Sequence, residues 1–239
     1  MFFEPGISDH GPAHDPFRSC VVPRPVGWIS TVDSAGVENL PPSASSRTSP
    51  SICRWSCSPP ARTDEDDARN TARNAEEIRE FVRNMATWDQ REAVNLSAHE
   101  LAPKIDELDL AGPIKLPTGL ARPSRVQGSP AQFECRFITS LRLLGNGLMG
   151  SIDAVFGLVV GAHISESILD AQCGIDVLRA KPIALMGCYG CTVVDNKFDM
   201  LIPGGQRVLL GGLDGSAGKV RQATDTQLSR DAGSQATEI

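Results

Sequence analysis

Residues 131–143 read A-Q-F-E-C-R-F-I-T-S-L-R-L and residues 151–164 read S-I-D-A-V-F-G-L-V-V-G-A-H-I, with Gly145-Asn146-Gly147 between them. In the first run Phe133, Cys135, Phe137, Leu141 and Leu143 alternate with Gln132, Glu134, Arg136, Ser140 and Arg142. In the second, Ile152, Ala154, Phe156, Leu158, Val160, Ala162 and Ile164 fall on one side. A period of two sends successive side chains to opposite faces of a strand. Two long antiparallel strands joined by a Gly-Asn-Gly turn are expected, the backbone of a β-barrel or sandwich. Val155 and Val159, on the other side of the second strand, add a second apolar surface, which suggests an interface.

Upstream, residues 20–32 (C-V-V-P-R-P-V-G-W-I-S-T-V) predict a strand with Val26, Trp28 and Ser30 on one face and Gly27, Ile29 and Thr31 on the other. Asp33-Ser34-Ala35-Gly36 follows as a hairpin turn. Ala68, Ala72, Ala75, Ile78, Phe81, Val82 and Met85 recur at spacings of three and four and predict a helix over 66–86, with acids at 64–67 where the helix dipole favours them. Thr87 and Gln90 have the spacing of a capping box and predict a second helix over 88–101. A further strand is expected near 192–201, and the polar stretch from 206 to 239 reads as a disordered tail.

The chain has 239 residues, 41% of them hydrophobic and 22% charged, with a net charge of −6. That fits one globular domain with its own core, and an acidic chain without a basic tract argues against nucleic acid as a partner. No apolar run approaches the roughly 18 residues of a membrane helix, and the N-terminus lacks the basic and apolar regions of a secretory signal. A cytoplasmic protein with reduced thiols is therefore expected. Seven cysteines include a C-x3-C (Cys53, Cys57) and a C-x2-C (Cys188, Cys191), but zinc needs four matched ligands, so no metal site is assigned.

With these elements in hand, several blocks resemble the flavin reductase-like, FMN-binding split-barrel family. They are P-R-P-V-G-W-I-S-T-V (23–32), N-A-E-E-I-R-E-F-V-R-N-M-A-T-W-D-Q-R-E-A-V-N-L-S-A (74–98), A-R-P-S-R-V-Q-G-S-P-A-Q-F-E-C (121–135) and G-N-G-L-M-G-S-I-D-A-V-F-G-L-V-V-G-A-H-I (145–164). The resemblance implies a mainly β fold with flanking helices, an antiparallel Greek-key split barrel over residues 12–205. It also implies a homodimer, FMN as cofactor, and hydride transfer from NAD(P)H to the flavin or to another small-molecule acceptor. It places Arg24, Trp28, Ser30 and Thr31 on the strand that lines the flavin. Arg69-Asn70-Thr71-Ala72-Arg73-Asn74 is similar to the family's K-D-T-x-x-N phosphate turn, so Arg69, Thr71 and Asn74 are implied phosphate ligands, with Asn70 in place of the acidic residue. Cys188-Tyr189-Gly190-Cys191 stands where the family carries an aspartate and a tyrosine. No catalytic residue is assigned, because a flavin carries the redox chemistry itself.

Residues 41–63 (P-P-S-A-S-S-R-T-S-P-S-I-C-R-W-S-C-S-P-P-A-R-T) show neither period and read as a long loop. The resemblance calls instead for a polar loop and a buried strand similar to S-Q-F-Q-N-L-T-F-D-x-P-x-V-x-F-S-A. Joining the last base of each codon to the first two of the next, from Ala44 to Pro60, permits Q-F-Q-N-L-T-F-D-L-P-M-V-L-F-S-A. The reading drawn from this is an out-of-frame stretch over about residues 42–61. The alternative function is then a non-catalytic or vestigial flavin-binding protein disrupted there.

Overall fold

The computed structural model describes residues 2–4, 19–44, 46–49, 52–57, 70–99, 106–144 and 151–200. Two compact units divide the chain, Met1–Asp195 and Asn196–Ile239. Of the second only residues 196–200 are described, and they carry no helix or strand. The expected tail at 206–239 lies outside the described residues.

Antiparallel strands dominate the first unit. β1 (Arg24–Val32) is the hub. It pairs with β2 (Glu38–Asn39), β3 (Pro42–Ala44), β6 (Glu80–Met85) and β11 (Ile183–Met186) at successive positions. From β6 the row runs through β9 (Ala131–Leu144) and β10 (Ser151–Ile164) to β5 (Ile52–Cys57) and β4 (Arg47–Ser49). β12 (Gly190–Val193) extends the far side beyond β11, and β7 (Lys115–Leu116) with β8 (Arg125–Val126) form a small separate pair. Ser43 Oγ on β3 donates to the Ser56 carbonyl on β5 at 2.7 Å, which draws the two ends of the row together into a barrel.

The two faces of β1 serve two cores, as its alternation requires. Ile29 joins Cys53, Trp55, Phe81, Cys135 and Val155 inside the barrel, and Ala72 and Ala75 of helix α1 (Asn70–Ile78) close one end. Val26 and Trp28 look outward into a second layer with Leu40, Val94, Leu108, Val126 and Ile183. That layer includes α2 (Arg91–Leu96) and α3 (Glu107–Ala111).

Several sequence expectations are corrected. The helix expected over 66–86 stops at Ile78. Arg79 takes a left-handed conformation (φ 66°) and donates its N–H to the Ala75 carbonyl, ending the helix as a glycine commonly does. Residues 80–85 then turn into β6; Phe81 and Val82 satisfy the helical period and the strand equally well. The helix expected over 88–101 is a short 3-10 turn (Trp88–Gln90) followed by α2. Gln90 Nε2 donates to the Gln127 carbonyl rather than completing a capping box.

The long hairpin is present, but β10 carries its core on the opposite face from the one expected. Val155 is fully buried and Val159 packs on the core, whereas Ile152, Leu158 and Ile164 are exposed. Neighbouring strands decide the face: Val155 lies opposite Trp55 and Gly157 opposite Cys53 in the β5 ladder. Gly157 has no room for a side chain, since a Cβ there would come within 2.4 Å of the Phe81 ring. Register shifts at Phe156/Gly157 and Val159/Gly161 break the strict alternation. The apolar surface that remains is Leu141, Leu143 and Ile152 on the hairpin arm, with Leu143 directly opposite Ile152. Finally, the segment expected to be a loop contains β3, β4 and β5; residues 45, 50, 51 and 58–63 lie outside the described residues.

Candidate functional site

Thr31 ends the inward face of β1, and the ladder places it opposite Asn39 of β2. Over this pair lies the first turn and a half of α1. Thr71 and Asn74 are three residues apart and so share a helix face, the buried one. Asn74 Nδ2 donates to Thr31 Oγ1 at 3.4 Å. The Asn39 carboxamide lies between Thr71 and Glu107. With its nitrogen toward the Glu107 carboxylate, its oxygen accepts from the Thr71 hydroxyl at 2.5 Å and from the Thr71 amide at 3.2 Å. Glu107 Oε2 also accepts from the Leu40 amide at 2.7 Å.

This cluster brings together Thr31, Thr71 and Asn74, which the sequence places far apart. Thr71 offers both its N–H and its O–H to one oxygen at the amino end of α1, a helix with no acid in its first turn. Donors of this kind at the positive end of a helix are the type that holds a phosphate, and in this structure both are engaged by the Asn39 oxygen. Arg69 and the acids at 64–67 lie outside the described residues, as does the side chain of Asn70.

Trp28 and Ser30 point to the other face of β1. Trp28 Nε1 donates to the Leu40 carbonyl at 3.0 Å and to Ser97 Oγ at 2.8 Å. Ser30 Oγ accepts from Asn84 Nδ2 at 2.9 Å. Both side chains have no exposure and brace the strand from behind. Arg24 reaches from the start of β1 to the β11–β12 turn, where Nη2 donates to the Gly187 carbonyl at 2.7 Å. In that turn Tyr189 is exposed and Cys188 half-buried, and Cys191, on β12, is exposed.

Sequence reasoning missed three groups. Asn84 links Ser30, the Trp28 carbonyl and the Val126 amide; a polar residue amid alternating apolar ones was the signal, hidden by reading 80–85 as helix. Lys115 gathers Asp106 at 2.7 Å, Asp109 at 3.0 Å and Glu38 at 3.7 Å. Burial alone would lower the Lys115 pKa, but its hydrogen bonds to Asp106 and Asp109 hold it above the ordinary lysine value. Glu134, 1% exposed, accepts from the Gly119 and Leu120 amides and meets His163 Nε2 at 2.5 Å. Burial would raise its pKa, but the Gly119 amide, His163 and the Leu120 amide hold it below the usual carboxylate value.

The solved structures decide the fold. Nitrilotriacetate monooxygenase component B from Bacillus cereus superposes with a TM-score of 0.74 at 22% identity, covering 84% of this chain and 98% of that one. The 2-nitrobenzoate 2-nitroreductase of Pseudomonas fluorescens gives 0.70 at 17% identity, covering 85% and 96%. A protein of Shewanella frigidimarina NCIMB 400, described by its flavin reductase character and split barrel domain, gives 0.70 at 15% identity, covering 84% and 99%. The fold is the flavin reductase-like split barrel.

Chains similar in sequence to this split barrel include an uncharacterized protein of Aquifex aeolicus (strain VF5), 24% identical over 170 residues, 70% of this chain and 82% of the relative. An uncharacterized protein of Halalkalibacterium halodurans is 27% identical over 183 residues, 72% and 84%. No protein-family model matches the chain. Among the described residues of the split barrel no helix is long and apolar enough to cross a membrane.

Proposed function

We propose that the chain binds FMN at the Thr31, Thr71 and Asn74 cluster and acts as a cytoplasmic flavin-dependent oxidoreductase, passing hydride from NADH or NADPH to the flavin or to another acceptor. The observation that carries this reading is the convergence of the Thr71 N–H and O–H on one acceptor oxygen at the amino end of α1, beside Asn74 and Thr31. Bound FMN would supply the hydride-accepting chemistry. The chain's part is to hold it: Thr71, Asn74 and Arg69 would take the phosphate. Thr31 would fix the Asn74 amide, and Arg24 would fix the β11–β12 turn beside the start of β1. Trp28 and Ser30 would set the position of the β1 backbone from behind.

A homodimer is part of the proposal. Leu141, Leu143 and Ile152 form an apolar face on the hairpin arm, and faces of this kind are commonly covered by a second copy about a two-fold axis.

Purified protein mixed with FMN is expected to bind it and show the oxidised flavin band near about 450 nm, bleached on adding NADH or NADPH under nitrogen. Arg69→Ala should weaken FMN by about 10- to 150-fold, the loss of one charge-assisted contact, and leave riboflavin unchanged. Equal weakening of both flavins would refute the phosphate assignment.

One observation favours a second reading. Among the described residues the buried Trp55 has no acceptor for its indole N–H, which fits a segment over 42–61 that did not evolve in this barrel. In that reading the chain retains the fold and binds flavin weakly or without turnover. Binding without bleaching by either nicotinamide would select it.

A further inference from the structure

Phe81, Arg83 and Met85 share the face of β6 that looks into the barrel, and Phe81 is wholly buried there. Helix α1 closes the barrel beside Phe81. Arg83 lies two residues further along, level with Ile29 in the β1 ladder. Its guanidinium sits among apolar groups, and the ionisable groups that face it are the buried thiols of Cys53 on β5 and Cys135 on β9. Nε donates to Ser46 Oγ at 2.8 Å, and the Phe133 ring centre lies 5.7 Å from Cζ. Among the described residues no carboxylate pairs with it.

Burial lowers the Arg83 pKa from the ordinary arginine value, yet a guanidinium remains charged in proteins. A desolvated cation without a counter-charge is a costly arrangement. Cys135 does not supply one, because its hydrogen bond with Cys53 and its burial push its thiol pKa upward. Ser46, 1% exposed, packs close against β1 where residue 27 is glycine: a Cβ there would come within 2.4 Å of the Ser46 side chain.

We propose that Arg83 and Ser46 form an oxyanion seat on the inner face of β6, taking the carboxylate or phosphate group of a small molecule. The two terminal guanidinium nitrogens form a planar fork that matches either group in a bidentate manner, and the Ser46 hydroxyl, which accepts from Nε, holds that fork in place. The seat shares no residue with the proposed FMN phosphate cluster and does not depend on flavin binding.

The test uses the full chain with inorganic phosphate and with benzoate, each against chloride at matched ionic strength, read by thermal midpoint and by calorimetric titration. At least one of the two anions is expected to raise the midpoint saturably. Response to both with mutual competition assigns a general oxyanion seat, and response to one names its class. Arg83→Met should weaken binding by at least about tenfold, the loss of a bidentate charged contact. Arg83→Lys, which keeps the charge and loses the fork, should fall between, and it covers the case in which Arg83→Met does not fold. Unchanged binding in the folded variants would overturn the proposal. So would a wild-type chain that responds to neither anion. An anion response that appears only in Cys53→Ser would also overturn it, assigning the Cys53 thiolate as an internal counter-charge. A chain that binds these anions and no flavin would refute the function proposed above while leaving the seat intact.

Discussion

Trp28 on β1 and Trp55 on β5 are both closed off from solvent, at 0% and 1% exposure. Trp28 donates its indole N–H to the Leu40 carbonyl and to Ser97 Oγ, and the polar neighbours along β1 are paired in the same way, Ser30 with Asn84 and Thr31 with Asn74. Trp55 packs edge-on to Phe81 with ring centres 5.9 Å apart, and its N–H has no acceptor among the described residues. A buried donor left unpaired costs about 1–3 kcal/mol. β5 thus has the alternation and apolar area of a barrel strand: Cys53 and Trp55 point inward, Ile52 and Arg54 outward. Apolar area is non-directional and tolerates an improvised sequence, whereas polar partners must be placed one by one. The contrast concerns the two indoles and not the whole strands, because Arg24 Nε on β1 is also buried without a partner among the described residues.

The most severe test of that contrast is to replace residues 42–61 with the alternate-frame sequence. If the present segment is foreign to the barrel, the restored chain should be more stable by several kcal/mol, since each well-buried large apolar side chain contributes roughly 1.5–3 kcal/mol. It should also bind FMN more tightly. Chemical denaturation and flavin titration of the two chains measure this. A transcript reading 42–61 as printed, with equal stability and equal flavin affinity in both chains, would remove the contrast.

The two indoles then separate by substitution. Trp28→Phe leaves the Leu40 carbonyl and Ser97 without their donor and removes ring volume, so a loss of roughly 2–4 kcal/mol is expected. Trp55→Phe removes a donor that has no partner among the described residues, which offsets the lost ring volume, and should stay within about 1 kcal/mol of the parent. Urea midpoints at constant m-value decide it; equal losses would mean that Trp55 is as well accommodated as Trp28.

These differences trace what was legible in the sequence. The alternation of 24–32, 131–143 and 151–164 marked three strands, because period two survives wherever one face packs on a core. It did not say which face of β10 is inside, since that depends on Trp55 and Cys53 arriving from a segment with no readable period. Residues 80–85 misled because an apolar pair at Phe81 and Val82 fits either period, and the left-handed turn at Arg79 has no glycine to announce it. At the candidate site, Thr31, Thr71 and Asn74 came from the resemblance; Asn39 and Glu107, which complete the cluster, are set by tertiary pairing that spacing along the chain does not encode.

Glu134 sharpens the same comparison on the well-partnered side of the molecule. Its pKa is lower in the folded chain than unfolded, so its stabilisation is fully present above the unfolded value of about 4.3 and is lost as pH falls through the folded value. Glu134→Gln should therefore cost about 1.5–3 kcal/mol near neutral pH, and the gap to the parent should narrow below about pH 4. A gap independent of pH would mean that the carboxylate charge contributes nothing. The smallest effect on stability is expected at the hairpin arm. Leu143→Asp should change the fold's stability by no more than about 0.5 kcal/mol, as an exposed position, and should convert a dimer to a monomer in sedimentation. An unchanged mass would place the dimer contact elsewhere.

The central claim is that the Thr31, Thr71 and Asn74 cluster holds a flavin phosphate, and its most direct measurement is the affinity of one chain for FMN and for riboflavin, repeated with Thr71→Val. The account predicts that FMN binds at least about tenfold more tightly than riboflavin, and that Thr71→Val closes most of that gap by weakening FMN alone. Equal affinity for the two flavins, or a gap that Thr71→Val leaves unchanged, would contradict it.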